Sequence, residues 1–128
     1  MTIGGTKMKL GERLDVVALT LKGHFSIVTG TALVEKLVKV LGMHKVHEPV
    51  TYEYPVGNCG GFGYTYLQPI TESFIALDAW SDFEGAYLII CSCKTIPLNK
   101  LTKKIRACGF RIKQIKANEL NLGRKNGF

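Results

Sequence analysis

The chain has 128 residues, 46% of them hydrophobic and 21% charged, with a formal net charge of +7. This composition is ordinary for a single globular domain with a buried core. No apolar run approaches the ~20 residues that a membrane-spanning helix needs, which excludes a helical membrane protein.

The first segments predict a leader, a strand and a long turn-rich stretch. Residues 1–12 are expected to form a flexible leader. Residues 14–22 are expected to form a strand, because aliphatic and β-branched residues partly alternate there with polar ones. Residues 43–62 are expected to form loops. The glycines of residues 57–63 indicate a tight turn or a close approach of the backbone to a ligand.

Between the first strand and these loops, the spacing of apolar residues predicts a helix over residues 31–41. Its buried face is expected to comprise Leu33, Val34, Leu37, Val38 and Leu41. Thr29 or Thr31 is expected to cap its start, and Gly42 suits the position just after its end.

The second half predicts three strands in succession, over residues 64–68, 72–80 and 86–93. The third is apolar almost throughout, as expected for a central strand. A second helix is expected to begin near Pro97 and to end at Gly109.

After the second helix, residues 110–117 alternate apolar and basic side chains, which is typical of a half-exposed strand near a sheet edge. The order β-α-β-β-β-α-β predicts an α+β fold. We expect a two-layer α/β sandwich, with a largely antiparallel sheet covered on one face by two helices. Residues 13–120 are expected to form this single domain, and residues 121–128 a basic tail. The bare sheet face predicts a homo-oligomer, a trimer or dimer with its sites at subunit contacts.

The four cysteines give no paired metal-binding motif, so no metal site is expected. They are Cys59, Cys91, Cys93 and Cys108. Because the amino terminus lacks the apolar segment of a secretory signal, we predict a cytoplasmic protein with reduced thiols.

The segment "ITESFIALDAW" followed by "AYLIICSC" (residues 70–80 and 86–93) resembles the core of the prokaryotic S-adenosylmethionine decarboxylases. These small α/β-sandwich enzymes make their own pyruvoyl cofactor, by attack of a serine hydroxyl on the preceding peptide carbonyl. The resemblance implies that Glu72-Ser73 is the scissile bond, that Ser73 is the cofactor precursor, and that Cys93 is a proton donor.

Two positions depart from the pattern of that family. Where the family has histidines, this chain has Phe74 and Asp78. A carboxylate with an ordinary pKa of about 3.9 is a poor base at neutral pH. The sequence therefore predicts a chain that stays uncut at Ser73.

By fold and ligand analogy, the chain is also similar to the phage lyases that cleave S-adenosylmethionine without a cofactor, giving methylthioadenosine and homoserine lactone. Such a lyase is our leading hypothesis, with the host cytoplasm as its location if the chain is phage-encoded. Glu72 is expected to bind the amino group of the substrate or to steer charge around the sulfur, with Tyr64 as a hydrogen-bonding partner. The substrate-binding residues are expected to be Tyr54, Phe62, Gly60, Gly61 and Trp80, with cation–π attraction to the sulfonium.

Two other hypotheses remain. One is a pyruvoyl-dependent decarboxylase of S-adenosylmethionine, ornithine or arginine, in which Ser73, Asp78 and Cys93 would act. The other is a basic nucleic-acid-binding module, since a positive field suits nucleic acid. We rank it last, because the basic residues of the second helix and last strand are expected to lie away from the aromatic cluster.

Overall fold

The structure, a computed structural model, describes residues 2–3, 6–7, 13–56, 61–80 and 84–121. Two short strands, β1 (Thr2–Ile3) and β2 (Thr6–Lys7), pair with each other. The remaining strands form one sheet: β3 (Arg13–Lys22), β4 (Val50–Val56), β5 (Gly61–Ile70), β6 (Ser73–Trp80), β7 (Gly85–Ser92) and β8 (Arg111–Asn121). The helices are α1 (Ile27–Val40) and α2 (Leu98–Ala107).

The sheet has the strand order β4-β5-β6-β7-β3-β8, and every neighbouring pair is antiparallel. Alternate residues of its central strands are buried against the helices, among them Leu19, Ile75, Leu77, Leu88 and Ile90. Their neighbours along each strand face the other side of the sheet, which no helix covers in the described part of the chain. The predicted two-layer α+β sandwich is therefore confirmed, with the last strand at an edge.

The sheet has one strand more than the sequence predicted. Residues 50–56 were expected to be loop, and they form the edge strand β4, paired along β5 from Val50 opposite Leu67 to Val56 opposite Gly61. Pro55 lies within this strand. An edge strand tolerates proline because one of its sides has no ladder of hydrogen bonds to complete.

Helix α1 begins four residues before the predicted start. Its N-cap is Ser26, whose hydroxyl accepts a hydrogen bond from the Thr29 backbone N–H at 3.1 Å, while the Thr29 hydroxyl accepts one from the Ser26 N–H at 2.9 Å. Thr29 is thus the partner of the cap rather than the cap itself, as in a capping box. The expected end is confirmed, because Gly42 follows the helix with φ +67°.

Helix α2 begins at Leu98, with Pro97 as its N-cap. Leu101 and Ile105 are fully buried against the sheet, whereas Lys100 and Lys103 are exposed on the opposite side of the helix. Neither described helix is long and apolar enough to cross a membrane.

Several predictions concern residues outside the described ranges. The expected leader (residues 1–12) is described only at its two short strands, and the expected basic tail (residues 121–128) only at Asn121. Gly60 and Cys59 also lie outside the described residues.

Candidate functional site

The Glu72-Ser73 pair lies at a tight hairpin between β5 and β6, at one end of the sheet. Two neighbouring segments hold this hairpin through backbone hydrogen bonds. The Thr71 N–H donates to the His44 carbonyl at 2.8 Å, and the Cys93 N–H donates to the Glu72 carbonyl at 2.9 Å. Ser73 has φ +156°, a region that residues other than glycine rarely adopt, so the backbone is strained at the bond that the family resemblance marks as scissile.

The Glu72 carboxylate is nearly buried, with 10% of its side chain exposed. It accepts a hydrogen bond from the His44 backbone N–H at 3.2 Å, and its second oxygen lies 3.0 Å from His44 Nδ1. Burial acts to raise the pKa of Glu72. The hydrogen bonds from the side chain and backbone of His44 outweigh that effect and leave the pKa below its ordinary value. Glu72 is therefore an ionised carboxylate at neutral pH.

Sequence reasoning gave no role to His44. It lies in a segment without ligand spacing, 28 positions before Glu72. A bridge between Lys45 and Ile70 brings the two together, and that pairing leaves no signature in the sequence.

A cleft of about 510 Å³ opens beside this hairpin. It contains three residues that the family resemblance singled out, Glu72, Ser73 and Cys93. Arg13, Leu14, Leu120 and Asn121 complete its lining. The antiparallel topology explains the grouping, because β3 and β6 begin, and β7 and β8 end, at the same end of the sheet.

The positively charged residues near the cleft already have partners. Arg13 Nη2 lies 3.1 Å from Asp15 Oδ1 and 3.2 Å from Glu119 Oε1, so two carboxylates share one guanidinium. The Lys94 ammonium donates instead to a backbone carbonyl at the end of α1, at 3.1 Å. Among the described residues that line the cleft, Glu72 and Arg13 are the charged ones, and carboxylates outside the cleft already balance the charge of Arg13.

Tyr64 lies outside the cleft. Its ring is 6% exposed on the helix-covered face, and its hydroxyl donates to the Ser26 carbonyl at 2.8 Å. Burial raises the pKa of Tyr64 to about 12. Its observed contacts are those of a side chain that holds the start of α1 against the sheet.

Asp78 lies on the bare face of the sheet. Its Oδ1 accepts hydrogen bonds from the Tyr54 hydroxyl at 2.9 Å and the Thr65 hydroxyl at 2.8 Å. The pairing of β6 with both neighbours runs from Ser73 to Trp80 without a register shift. Residues five apart in such a strand point to opposite faces, so Asp78 is turned away from Ser73.

The other predicted substrate-binding residues that the structure describes are also separate from the cleft. Trp80 lies at the far end of β6, packed edge-to-face on Tyr87 with 5.2 Å between ring centroids. Phe62 is 64% exposed near the start of β5, next to Gly61. No aromatic side chain of the described residues lines the cleft.

No group of three or more His, Cys, Asp or Glu side chains that could hold a metal occurs in the described ranges. Cys91, Cys93 and Cys108 are free thiols.

Comparison with solved structures finds a likeness to the crystal structure of the adenosylmethionine decarboxylase from Aquifex aeolicus VF5. The TM-score is 0.56 with 16% sequence identity, and the match covers 87% of this chain and 90% of that chain. No protein-family model matches the sequence, and no curated protein matches it either. The likeness shows that the two chains share a fold.

Proposed function

We propose that this chain degrades S-adenosylmethionine at the cleft beside Glu72, as a cofactor-independent lyase that releases methylthioadenosine and homoserine lactone. The observation that carries the proposal is the nearly buried, ionised Glu72 carboxylate in a cleft whose lining guanidinium, Arg13, is already paired with Asp15 and Glu119. The shared fold with an adenosylmethionine decarboxylase supports the choice of substrate.

The reaction needs no proton transfer. An oxygen of the substrate's own carboxylate forms a bond to the carbon beside the sulfonium, the bond from that carbon to sulfur breaks, and its electron pair stays on sulfur. The opposite charges of carboxylate and sulfonium cancel as the reaction proceeds. Excluding water and holding the carboxylate in line therefore accelerate the step.

Glu72 binds the ammonium group of the substrate in this proposal. A carboxylate has about four lone-pair sites, and the hydrogen bonds from His44 use one site on each oxygen. The remaining sites accept the N–H groups of the substrate, while His44 keeps the carboxylate charged and fixed in direction.

A second copy of the chain supplies the aromatic wall that one subunit lacks. The predicted trimer or dimer with sites at subunit contacts fits this need. The β4–β5 end of the sheet carries the exposed aromatic residues Tyr52 (66%) and Phe62 (64%) that such a contact would cover.

The pyruvoyl-dependent decarboxylase is a second candidate, and two observations favour it. The Cys93 N–H donates to the Glu72 carbonyl, the group that the Ser73 hydroxyl would attack, and the backbone at Ser73 is strained. Ser73 and Cys93 thus fit the position of a pyruvoyl group, whose carbonyl serves as an electron sink during decarboxylation. Asp78 does not fit a role in forming it, because its carboxylate is held by Tyr54 and Thr65 on the other face.

Product analysis with a matched pair of variants tests the lyase. Purified chain incubated with S-adenosylmethionine should release methylthioadenosine and homoserine lactone in equal amounts. Glu72→Gln should lower the rate about 100-fold or more, because it removes the charge that orients the substrate. Glu84→Gln, an identical change at an exposed position just before β7, at the end of the sheet away from the cleft, should leave the rate unchanged.

Circular dichroism should show that both variants keep the fold. Undiminished turnover by Glu72→Gln, or an equal loss in Glu84→Gln, would remove Glu72 from the reaction.

A further inference from the structure

The bare face of the sheet contains two adjoining cavities along β3, of about 460 and 300 Å³. Thr20 and Tyr87 line both cavities, and we call the two cavities together the β3 groove. Its floor includes small residues, Ala18 and Thr20, flanked by longer side chains of the neighbouring strands.

The two walls of the β3 groove differ in chemistry. On the β7 side, Tyr87 is 50% exposed and contacts the partly exposed Trp80. On the β8 side, Lys113 lines the first cavity and Lys116 the second, and both lysines are exposed. No ion pair joins either lysine to a carboxylate among the residues that the structure describes.

This arrangement corrects one expectation from the sequence. The basic residues of the last strand were expected to lie away from the aromatic cluster. In the sheet, only β3 separates β8 from β7, and Lys113 lines the same cavity as Trp80. The reason for ranking nucleic acid last therefore fails for this face.

We infer that the β3 groove binds single-stranded nucleic acid, a function beyond the proposed reaction. Unpaired bases stack on exposed aromatic rings, and phosphates are attracted by a parallel line of lysines. Lys113 lies at a register shift of the β3–β8 pairing, where Gln114 is opposite Thr20 and Ile112 is opposite Leu21, so Lys113 and Lys116 line the same groove although they are three positions apart. At ~3.3 Å per residue they are at most about 10 Å apart along the strand, which lets them contact separate phosphates of one extended nucleic acid strand. The Asp78 carboxylate on this face is held on the side of β5 by Thr65 and Tyr54, away from the lysines.

The groove and the cleft are at different ends of the sheet. The β3 groove reaches Trp80 and Gly85, whereas the cleft lies beside Ser73 and Cys93. A test of nucleic acid binding at the groove is therefore independent of the test of the proposed lyase activity at the cleft.

The chain has a single tryptophan, Trp80, so its fluorescence reports directly on the groove. A mixed-sequence DNA or RNA strand of about eight nucleotides, within the usual site size, should quench this fluorescence on titration into the full chain. The matching duplex should bind at least 10-fold more weakly, because its bases are not free to stack. Absence of quenching, or equal affinity for strand and duplex, would overturn the inference.

A pair of charge-matched variants tests the lysine wall. Lys113→Gln/Lys116→Gln should weaken binding about 10-fold at low salt. It should also reduce the slope of log affinity against log salt by about 1.4, at ~0.7 per phosphate contact. Lys100→Gln/Lys103→Gln removes the same charge from α2, on the other side of the sheet, and should leave the slope unchanged.

An equal loss in both double variants would show general attraction to a basic protein and would contradict a groove. Binding of adenosine monophosphate as tight as that of the oligonucleotide would contradict recognition of a strand. All four lysines are exposed, so both variants should fold, and circular dichroism checks that they do.

Discussion

Burial acts to raise the pKa of Glu72, and two hydrogen bonds from His44, 28 positions earlier in the chain, overcome it. The result is a carboxylate that is both nearly buried and charged. Such a group can orient a cation without competition from water, which an exposed glutamate could not do as well. At this scale, the candidate site consists of one acidic side chain and the residue that fixes its charge.

The lowered pKa of Glu72 predicts how stability depends on pH. A carboxyl group whose pKa is lower in the folded state stabilises the protein fully above its unfolded value, 4.5. That contribution disappears as the pH falls through the folded value. As the pH is lowered below about 4.5, the free energy of unfolding should therefore decrease more steeply in the wild type than in the Glu72→Gln variant.

Urea denaturation at a series of pH values between about 3 and 7 measures this difference. Parallel curves for the two proteins would mean that His44 does not hold the carboxylate in its charged form.

The sequence singled out three residues that lie close together in the structure, and their roles stay predictions. Glu72, Ser73 and Cys93 were linked by their likeness to a family motif, and the structure brings them into one cleft. Arg13 and His44 could not be predicted, because they reach the cleft through the order of the strands and an isolated bridge. The aromatic residues were grouped only because they are near each other in sequence, and alternation along the strands sends Tyr64 and Trp80 to different faces.

At the scale of elements, α1 and β5 approach so closely that Gly30 has no room for a side chain. A Cβ there would overlap the Tyr64 hydroxyl and lie 2.8 Å from Leu77 Cδ2. This contact seats the first turn of the helix on the sheet, where Tyr64 also donates to the Ser26 carbonyl. The capping box at Ser26 begins the helix ahead of the apolar pattern that predicted it.

Gly30→Ala should destabilise the protein, although alanine favours a helix by about 1 kcal/mol over glycine. Overpacking against Tyr64 and Leu77 should lower the free energy of unfolding by about 1–3 kcal/mol, which outweighs that gain. Ala32→Gly, at an exposed position of the same helix, is the control. It should lower the free energy of unfolding only by the difference in helix propensity, about 1 kcal/mol.

Thermal or urea unfolding of the two variants measures both effects. A Gly30→Ala protein more stable than the wild type would show that the helix does not sit this close to the sheet.

Elements with strong periodicity were predicted best. The three central strands and α2 were found within a few residues of their bounds, because alternation and helical spacing are strong there. Strand β4 was missed because proline and nearby glycines resemble a loop. Its pairing with β5, rather than its own residues, makes it a strand.

At the scale of the whole molecule, both described helices pack on one face of the six-stranded sheet, and no helix of the described residues covers the other face. The order of helices and strands along the chain was enough to predict this architecture. The order of the strands within the sheet could not be predicted in this way. That order determines which side chains lie close together. It places β8 beside β3, and so brings lysines to the aromatic face. The predicted oligomer and cytoplasmic location stay predictions.

The most direct test of the central claim is the intact mass of freshly purified chain that is turning over S-adenosylmethionine. We predict an uncut chain of 14.1 kDa and a steady release of methylthioadenosine. A fragment that begins at residue 73 with a keto-acyl group in place of its amino terminus, together with released carbon dioxide, would contradict the account and show a decarboxylase.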